Sequence, residues 1–195
     1  MGEKSNSRDL IVETAARLFF SQGYHATGLS QIIKESDTPK GSLYHYFPNG
    51  KEELAYVCIE KTNEHVLEKF KAVFEQHQTT GDAIQAFIRD MADDTEKSGF
   101  TGFLPFSFWA AVETSCISNK LRSACQDVFT DWQEVIADRL QQEGALEVRA
   151  KEAALLMISM MEGALIISLT NQSKQPMLTA ADYLSAMMKT AVLTK

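Results

Sequence analysis

Apolar residues recur along this chain at intervals of three and four, which is the spacing of an amphipathic α-helix, and no segment shows the alternation that marks a β-strand. The pattern therefore predicts an all-α protein of about nine helices. The predicted helices are 7–22, 29–36, 39–47, 51–78, a helix beginning at Thr80, and then 106–115, 118–143, 149–171 and 179–194, with Pro176 between the last two.

One short segment, residues 38–47, has a polar surface unlike that of the other helices. Thr38 is a candidate N-cap, and Pro39 suits the first helical position, where a missing N–H costs nothing. The residues Pro48-Asn-Gly50 stop the helix after about two turns. Its apolar anchors are Leu43 and Phe47, and its polar side chains are Lys40, Ser42, Tyr44, His45 and Tyr46. A buried helix would not present so many donors, so this face is a candidate binding surface.

The preceding helix, residues 29–36, is amphipathic, with Thr27 as its predicted N-cap and a tight connection to residues 39–47. Two short helices joined in this way form the helix-turn-helix pattern, whose second helix enters the DNA major groove. Gly41 lies inside that second helix, where glycine costs about 1 kcal/mol relative to alanine. A glycine at this position indicates that a partner approaches the backbone closely.

Residues 7–54 resemble the DNA-binding domain of the TetR family of bacterial regulators. The matching residues are Ala15-Ala-Arg-Leu-Phe19, Gly23-Tyr24, Thr27, Ile32, Lys40-Gly-Ser-Leu-Tyr-His-Tyr-Phe47 and Lys51-Glu-Glu-Leu54. Three positions depart from the family pattern: Asp37 replaces the usual turn glycine, Pro39 replaces a small hydroxyl residue, and Gly50 is one residue more than usual. The form Phe47-Pro-Asn-Gly-Lys-Glu-Glu-Leu54 resembles the LmrA/YxaF-like branch.

The resemblance implies two domains, a helix-turn-helix domain at 1–50 and an effector-binding and dimerisation domain at 51–195. It implies a homodimeric regulator, most simply a repressor, that leaves a palindromic operator when a small hydrophobic effector binds. The LmrA/YxaF-like branch implies a planar aromatic effector of the flavonoid type.

The predicted DNA contacts lie in and beside the second helix, with residues 39–46 inserted into the major groove. Contacts to bases or groove edges are predicted for Lys40, Ser42 and Tyr44, beside Pro39 at the helix start. Contacts to phosphates are predicted for Thr27, Ser30, His45, Tyr46 and Lys51.

The net charge of −7 does not exclude a DNA partner, because the charge is unevenly distributed. Residues 1–50 contain five basic and five acidic side chains, so residues 51–195 carry the whole excess, as 14 positive minus 21 negative charges. A neutral domain with a local basic face can approach phosphates while the acidic remainder stays away from them. Affinity per subunit should be modest, which favours two DNA-binding domains acting together.

The remainder of the chain is rich in aromatic and methionine residues that either line an apolar cavity or simply fill a core. The predicted effector contacts are His65, Phe70, Phe87, Met91, Phe103, Phe106, Trp109, Glu113, Met157 and Met161. The last two helices carry an apolar stripe too wide for a helix that touches only its own domain. The predicted dimer contacts are Met160, Gly163, Ala164, Ile167, Leu184, Met187 and Met188.

No catalytic, phosphate-binding or metal-binding motif occurs, so we expect no enzyme activity, no metal and no cofactor. The polar N-terminus, the lack of an apolar run of about 20 residues and the three separated cysteines favour a cytoplasmic protein. Two alternatives stay open. One is a helical small-molecule-binding protein or enzyme with a vestigial DNA-binding domain, in which His65 and Glu113 form an acid–base pair. The other is a helical adaptor that binds another protein.

Overall fold

The computed structural model describes residues 7–101 and 106–193, so the predicted effector contact Phe103 lies outside the described residues. The described residues form nine α-helices, one π-helical segment and no β-strand, which confirms the predicted all-α class. The helices are α1 Ser7–Gln22, α2 Leu29–Glu35, α3 Lys40–Tyr46, α4 Lys51–Gln76, α5 Thr80–Lys97, α6 Glu113–Ser115, α7 Asn119–Gln142, α8 Glu147–Asn171 and α9 Gln175–Leu193. The π-helical segment is Ser107–Val112.

The chain divides into two compact units. The described residues of the first unit are 7–62 and 106–127, and those of the second unit are 63–101 and 128–193. The first unit therefore contains α1, α2, α3 and the start of α4, together with the π-helical segment, α6 and the start of α7.

The core of the first unit fixes the three N-terminal helices. Phe19 of α1, Ile32 of α2 and Leu43 of α3 are fully buried, and Phe47 directly after α3 is 1% exposed. Because these residues are the apolar positions of each helix, burying them turns the opposite, polar side of α3 outward.

The turn between α2 and α3 is built differently from the sequence expectation. Pro39 is the N-cap residue of α3 and no side chain caps that helix, so the predicted cap at Thr38 is wrong. Thr38 is buried, and its hydroxyl instead shares a hydrogen bond of 2.8 Å with the Ser36 hydroxyl. Asp37, which stands where the family usually has glycine, adopts a φ of 50°. The left-handed turn is thus kept with an aspartate, a residue that tolerates it.

The second unit is organised around α5, α8 and α9. A Cβ on Gly81 of α5 would lie 2.7 Å from the carbonyl oxygen of Ser185, so glycine permits the close approach of α9. An ion pair of 2.7 Å joins Lys189 to Asp82 across these two helices. Because α9 begins at Gln175, Pro176 lies in its first turn rather than in the connection between helices.

The helix α8 is long and apolar enough to cross a membrane by length and composition, contrary to the expectation from the sequence. It is the one such helix among the described residues, with a mean hydropathy of 1.9 over its most apolar window, and 44% of that window is buried inside the protein.

Candidate nucleic-acid interface

The polar side of α3 is open to solvent. Leu43 and Phe47 hold the opposite side of the helix in the core. The exposed residues are Pro39, Lys40, Gly41, Tyr44 and His45, and the half-buried ones are Ser42 and Tyr46. A short helix seated on two apolar anchors, with donors and aromatic edges on its outer side, has the form of a recognition helix.

Side chains on the exposed side of α3 contact one another through their aromatic rings. The Lys40 Nζ lies 6.0 Å from the centroid of the Tyr44 ring, one helical turn away. The His45 and Tyr46 rings meet edge to face at 5.1 Å. Tyr44 is 46% exposed, so much of its ring is available to a partner.

The sequence-based assignment of Thr27 needs correction. Thr27 is fully buried, and its hydroxyl donates to the Gly23 carbonyl oxygen at 2.7 Å. It does not cap α2, because the N-cap residue is Gly28 and no side chain caps the helix. Thr27 therefore stabilises the turn between α1 and α2 and has no exposed group to offer a phosphate, whereas Ser30 is exposed.

Lys51 begins α4 in a partly buried environment. Its Nζ lies 4.2 Å from the centroid of the Tyr24 ring, a cation–π distance. Burial lowers the pKa of Lys51, and the Glu113 carboxylate opposes that shift. The predicted phosphate contact therefore comes from a cation that is already engaged on one side.

The predicted effector residues are divided between the two units. In the first unit, Trp109 stacks on Phe19 at 5.4 Å and meets the Phe106 ring edge to face at 5.9 Å. Glu113 of the same unit accepts hydrogen bonds from the backbone N–H groups of Tyr24 and His25. Sequence reasoning placed Glu113 beside an effector, and no local signal in the sequence pairs it with that turn.

In the second unit, the Phe70 and Phe87 rings stack at 4.7 Å. Phe87 and Met91 are half-buried, while Met157 and Met161 are buried. His65 differs from these residues, because it lies exposed on α4 and is not enclosed by apolar side chains.

The second unit also contains an open groove of about 740 Å³ that the sequence did not indicate. Its walls combine apolar residues with charged groups of both signs, and they include Leu67, Phe74, Val135, Lys71, Arg139, Glu75 and Asp138.

The predicted dimer contacts also separate into two groups. Met160 and Ile167 of α8 are exposed, and Gly163 and Met187 are half-buried. Ala164, Leu184 and Met188 are buried within the subunit, which leaves Leu184 and Met188 no surface for a partner. The large apolar residues that are exposed on α8 and α9 are Val148, Leu155, Leu156, Met160, Ile166, Ile167 and Tyr183.

These features define a helix-turn-helix DNA-binding protein with a larger helical part. Residues 11–56 match the family model described as bacterial regulatory proteins of the tetR family, and residues 80–183 match the model for the C-terminal domain of LmrA/YxaF-like transcriptional regulators. The chain belongs to the TetR family of transcriptional regulators and has an LmrA/YxaF-like C-terminal domain.

Two curated relatives from Bacillus subtilis support this membership. The chain is 41% identical over 189 residues to the uncharacterized HTH-type transcriptional regulator YxaF, covering 97% of this chain and 98% of that protein. It is 39% identical over 184 residues to the HTH-type transcriptional regulator LmrA, covering 94% of this chain and 97% of that protein. Because these relatives are regulators, the family assignment disfavours the enzyme alternative.

The same fold occurs in solved structures. A TetR transcriptional regulator from Legionella pneumophila superposes with a TM-score of 0.84 at 17% identity, over 95% of this chain and 98% of that one. TetR-family regulators bind DNA and act as dimers.

Proposed function

We propose that the protein is a homodimeric repressor that binds a palindromic operator and leaves it when a small aromatic effector binds. The observation that carries the proposal is the outer face of α3, which is exposed while Leu43 and Phe47 anchor the helix. Two such helices, one from each subunit, would read two half-sites related by the dimer axis.

In this proposal Lys40, Ser42 and Tyr44 contact bases or groove edges. The phosphate contacts are Ser30, His45, Tyr46 and Lys51, and Thr27 is omitted because its hydroxyl is buried. Gly41 lies on the exposed face, and nothing lies within 4 Å of the place where a Cβ would stand. The open space supports a close approach of DNA to the backbone at this point.

We propose that the dimer face is the exposed apolar surface of α8 and α9. A Cβ on Gly163 would meet nothing within 4 Å, so the subunit's own packing does not require glycine there. Glycine at a position where the subunit itself would accept a larger residue is suited to close packing against a helix of a partner. Met160, Ile167 and Met187 would pack on the partner, with Leu156 and Tyr183 added to the predicted set.

The proposed effector contacts exclude His65, which is exposed, and Glu113, which is engaged by the turn after α1. In the first unit Trp109 supports an effector contact, because its indole N–H is buried and has no hydrogen-bond partner among the described residues. An acceptor on the effector would satisfy that donor. In the second unit the proposed apolar contacts are Phe70, Phe87, Met91, Met157 and Met161.

The test begins with selection of DNA from a random pool by the purified protein. The selected site is then titrated by fluorescence anisotropy at two salt concentrations. We expect a palindrome bound by one dimer, with weaker binding at the higher salt concentration. Effector candidates would be scored by release of that DNA. If no site is enriched at low salt, with no small molecule copurifying, the proposal fails. The cytoplasm is the compartment in which this function would operate.

A further inference from the structure

The Glu113 carboxylate occupies a concave site formed by the turn between α1 and α2, and both belong to the first unit. Its Oε2 accepts a short hydrogen bond from the Tyr24 N–H and a second, at 3.4 Å, from the His25 N–H. These successive donors follow Gly23, whose φ of 86° is left-handed. Successive backbone N–H groups beside a left-handed residue form an anion-binding concavity, and here a side chain of the same protein fills it.

The fit between carboxylate and turn is close. A Cβ on Gly23 would lie 2.8 Å from both carboxylate oxygens of Glu113, so a larger residue there would displace the carboxylate. The Lys51 ammonium interacts with the same carboxylate while it lies over the Tyr24 ring. The carboxylate thus connects α6 to the turn after α1 by hydrogen bonds, and Lys51 at the start of α4 adds a favourable charge nearby.

The position of Glu113 is set by the π-helical segment that ends directly before it. A π-helix forms its backbone hydrogen bonds to the fifth rather than the fourth residue along the chain, and such segments occur frequently at functional sites. Trp109 within the segment packs on Phe19 and meets Phe20 edge to face at 5.3 Å. Both the ring and the carboxylate therefore hold the segment against the C-terminal end of α1.

Hydrogen bonds join the turn to the first of the two DNA-binding helices. The Thr27 hydroxyl donates to the Gly23 carbonyl at 2.7 Å, directly before α2. The Gln22 side chain donates to Gln31 Oε1 at 2.8 Å, which joins α1 to α2 across the turn. A displaced turn would consequently change the angle at which α2, and α3 with it, presents its polar face.

We propose that Glu113 is a positioning residue for DNA recognition. Its carboxylate holds the turn between α1 and α2 and thereby sets the orientation of α3 on the operator. The inference rests on the proposed function, since it concerns how precisely α3 meets its operator.

Because Glu113 is negatively charged, the direction in which its removal changes DNA affinity tests the proposal. Removing an acidic side chain near a DNA-binding surface should leave affinity for any DNA unchanged or make it tighter, because one repulsion of phosphate is lost. If Glu113 positions α3, its removal should instead weaken binding to the operator. A general loss of folded protein would reduce binding to operator and scrambled DNA by the same factor.

The experiment measures the dissociation constants of operator and scrambled duplexes for the wild type, Glu113→Ala and Glu113→Gln. We expect the ratio of the scrambled to the operator constant to fall about tenfold for Glu113→Ala, as for a lost charge-assisted hydrogen bond. Glu113→Gln keeps an acceptor oxygen and should lose less. The matched control is Glu134→Gln on α7, which removes one exposed charge in the second unit and should leave the ratio unchanged.

Hydrogen exchange of the Tyr24 and His25 amides gives a readout without DNA. We expect faster exchange of these two amides in Glu113→Ala, with unchanged exchange in α1 and α3. An unchanged ratio, an equal loss of both affinities, or unchanged exchange of the two amides would overturn the proposal. If the wild type itself shows no operator preference, the proposed function fails, and the exchange result still decides whether Glu113 holds the turn.

Discussion

Replacing Gly41 by alanine should raise stability and lower operator affinity at the same time. At about 100° per residue, Gly41 lies on the same side of α3 as Tyr44 and His45, and roughly opposite Leu43. The added methyl group would stand at the centre of the exposed arc. In the free protein it would clash with nothing, because no heavy atom other than those of its chain neighbours and its own helix backbone lies within 4 Å of the Cβ position.

The gain in stability and the loss of operator affinity have separate causes. Alanine is favoured over glycine inside a helix by up to about 1 kcal/mol, which corresponds to a rise in melting temperature of about 2–4 °C for a chain of this size. On the operator, the methyl group would occupy space that a closely packed DNA edge needs. Overpacking of such a contact costs about 1–3 kcal/mol, or about 5–150-fold in affinity.

Thermal unfolding followed by circular dichroism measures the first effect, and fluorescence anisotropy with the selected operator measures the second. A scrambled duplex serves as the control, and its affinity should change little because phosphate contacts dominate it. Operator affinity within twofold of the wild type would refute the inference that DNA approaches the backbone at Gly41. A fall in melting temperature would refute the account of its open surroundings.

Three further predictions follow from the exposure of single residues. Tyr44→Ala should abolish operator binding without lowering the stability of the dimer, since the ring is 46% exposed; equal loss of both in anisotropy and unfolding assays would make it a core residue. Gly163→Leu should dissociate the dimer in sedimentation experiments while each subunit keeps its helical circular dichroism, and a dimer of unchanged affinity would exclude Gly163 from the interface. Burial raises the pKa of the Cys58 thiol to about 12 and of Cys125 to about 11, so their thiolates are scarce at pH 8. Iodoacetamide followed by mass spectrometry should therefore label exposed Cys116 first, and equal labelling rates would contradict this burial.

The helices and the recognition face could be predicted from the sequence because both depend on local pattern. The bounds of α1 agree with the apolar stripe containing Ile11, Ala15 and Leu18. The predicted helix 118–143 corresponds to α7, and the Ser118 hydroxyl directly before α7 accepts from the Leu121 N–H at 3.1 Å. Along α3, the spacing of Leu43 and Phe47 was enough to decide which side faces the core.

Side-chain partners that are distant in sequence could not be predicted in the same way. Thr27 and Thr38 precede helices and have the residue type of an N-cap, but tertiary packing buries both and gives their hydroxyls other partners. Glu113 is 89 positions from its partner Tyr24, and the sequence contains no periodicity that relates them. Leu184 and Met188 belong to an apolar stripe of α9 that is wide enough to contact both the subunit's own core and a partner. The pattern alone does not say which of its residues face the core.

The apolar character of α8 is better explained by a protein partner than by a bilayer. A bilayer would require apolar side chains around the whole circumference, since each polar group in hydrocarbon is costly. One side of α8 is already buried in the subunit, where Met157, Met161 and Leu165 lie. The helix also carries Glu162 near its middle, and the exposed Ser159 and Thr170 donate their hydroxyls to carbonyl oxygens one turn earlier. What remains is an exposed apolar surface beside half-buried Gly163, and its residues are Val148, Leu155, Leu156, Met160, Ile166 and Ile167. An exposed apolar surface beside a core face can be covered by helices of a second subunit, and in the proposed dimer the high hydropathy of α8 would be the sum of these two faces.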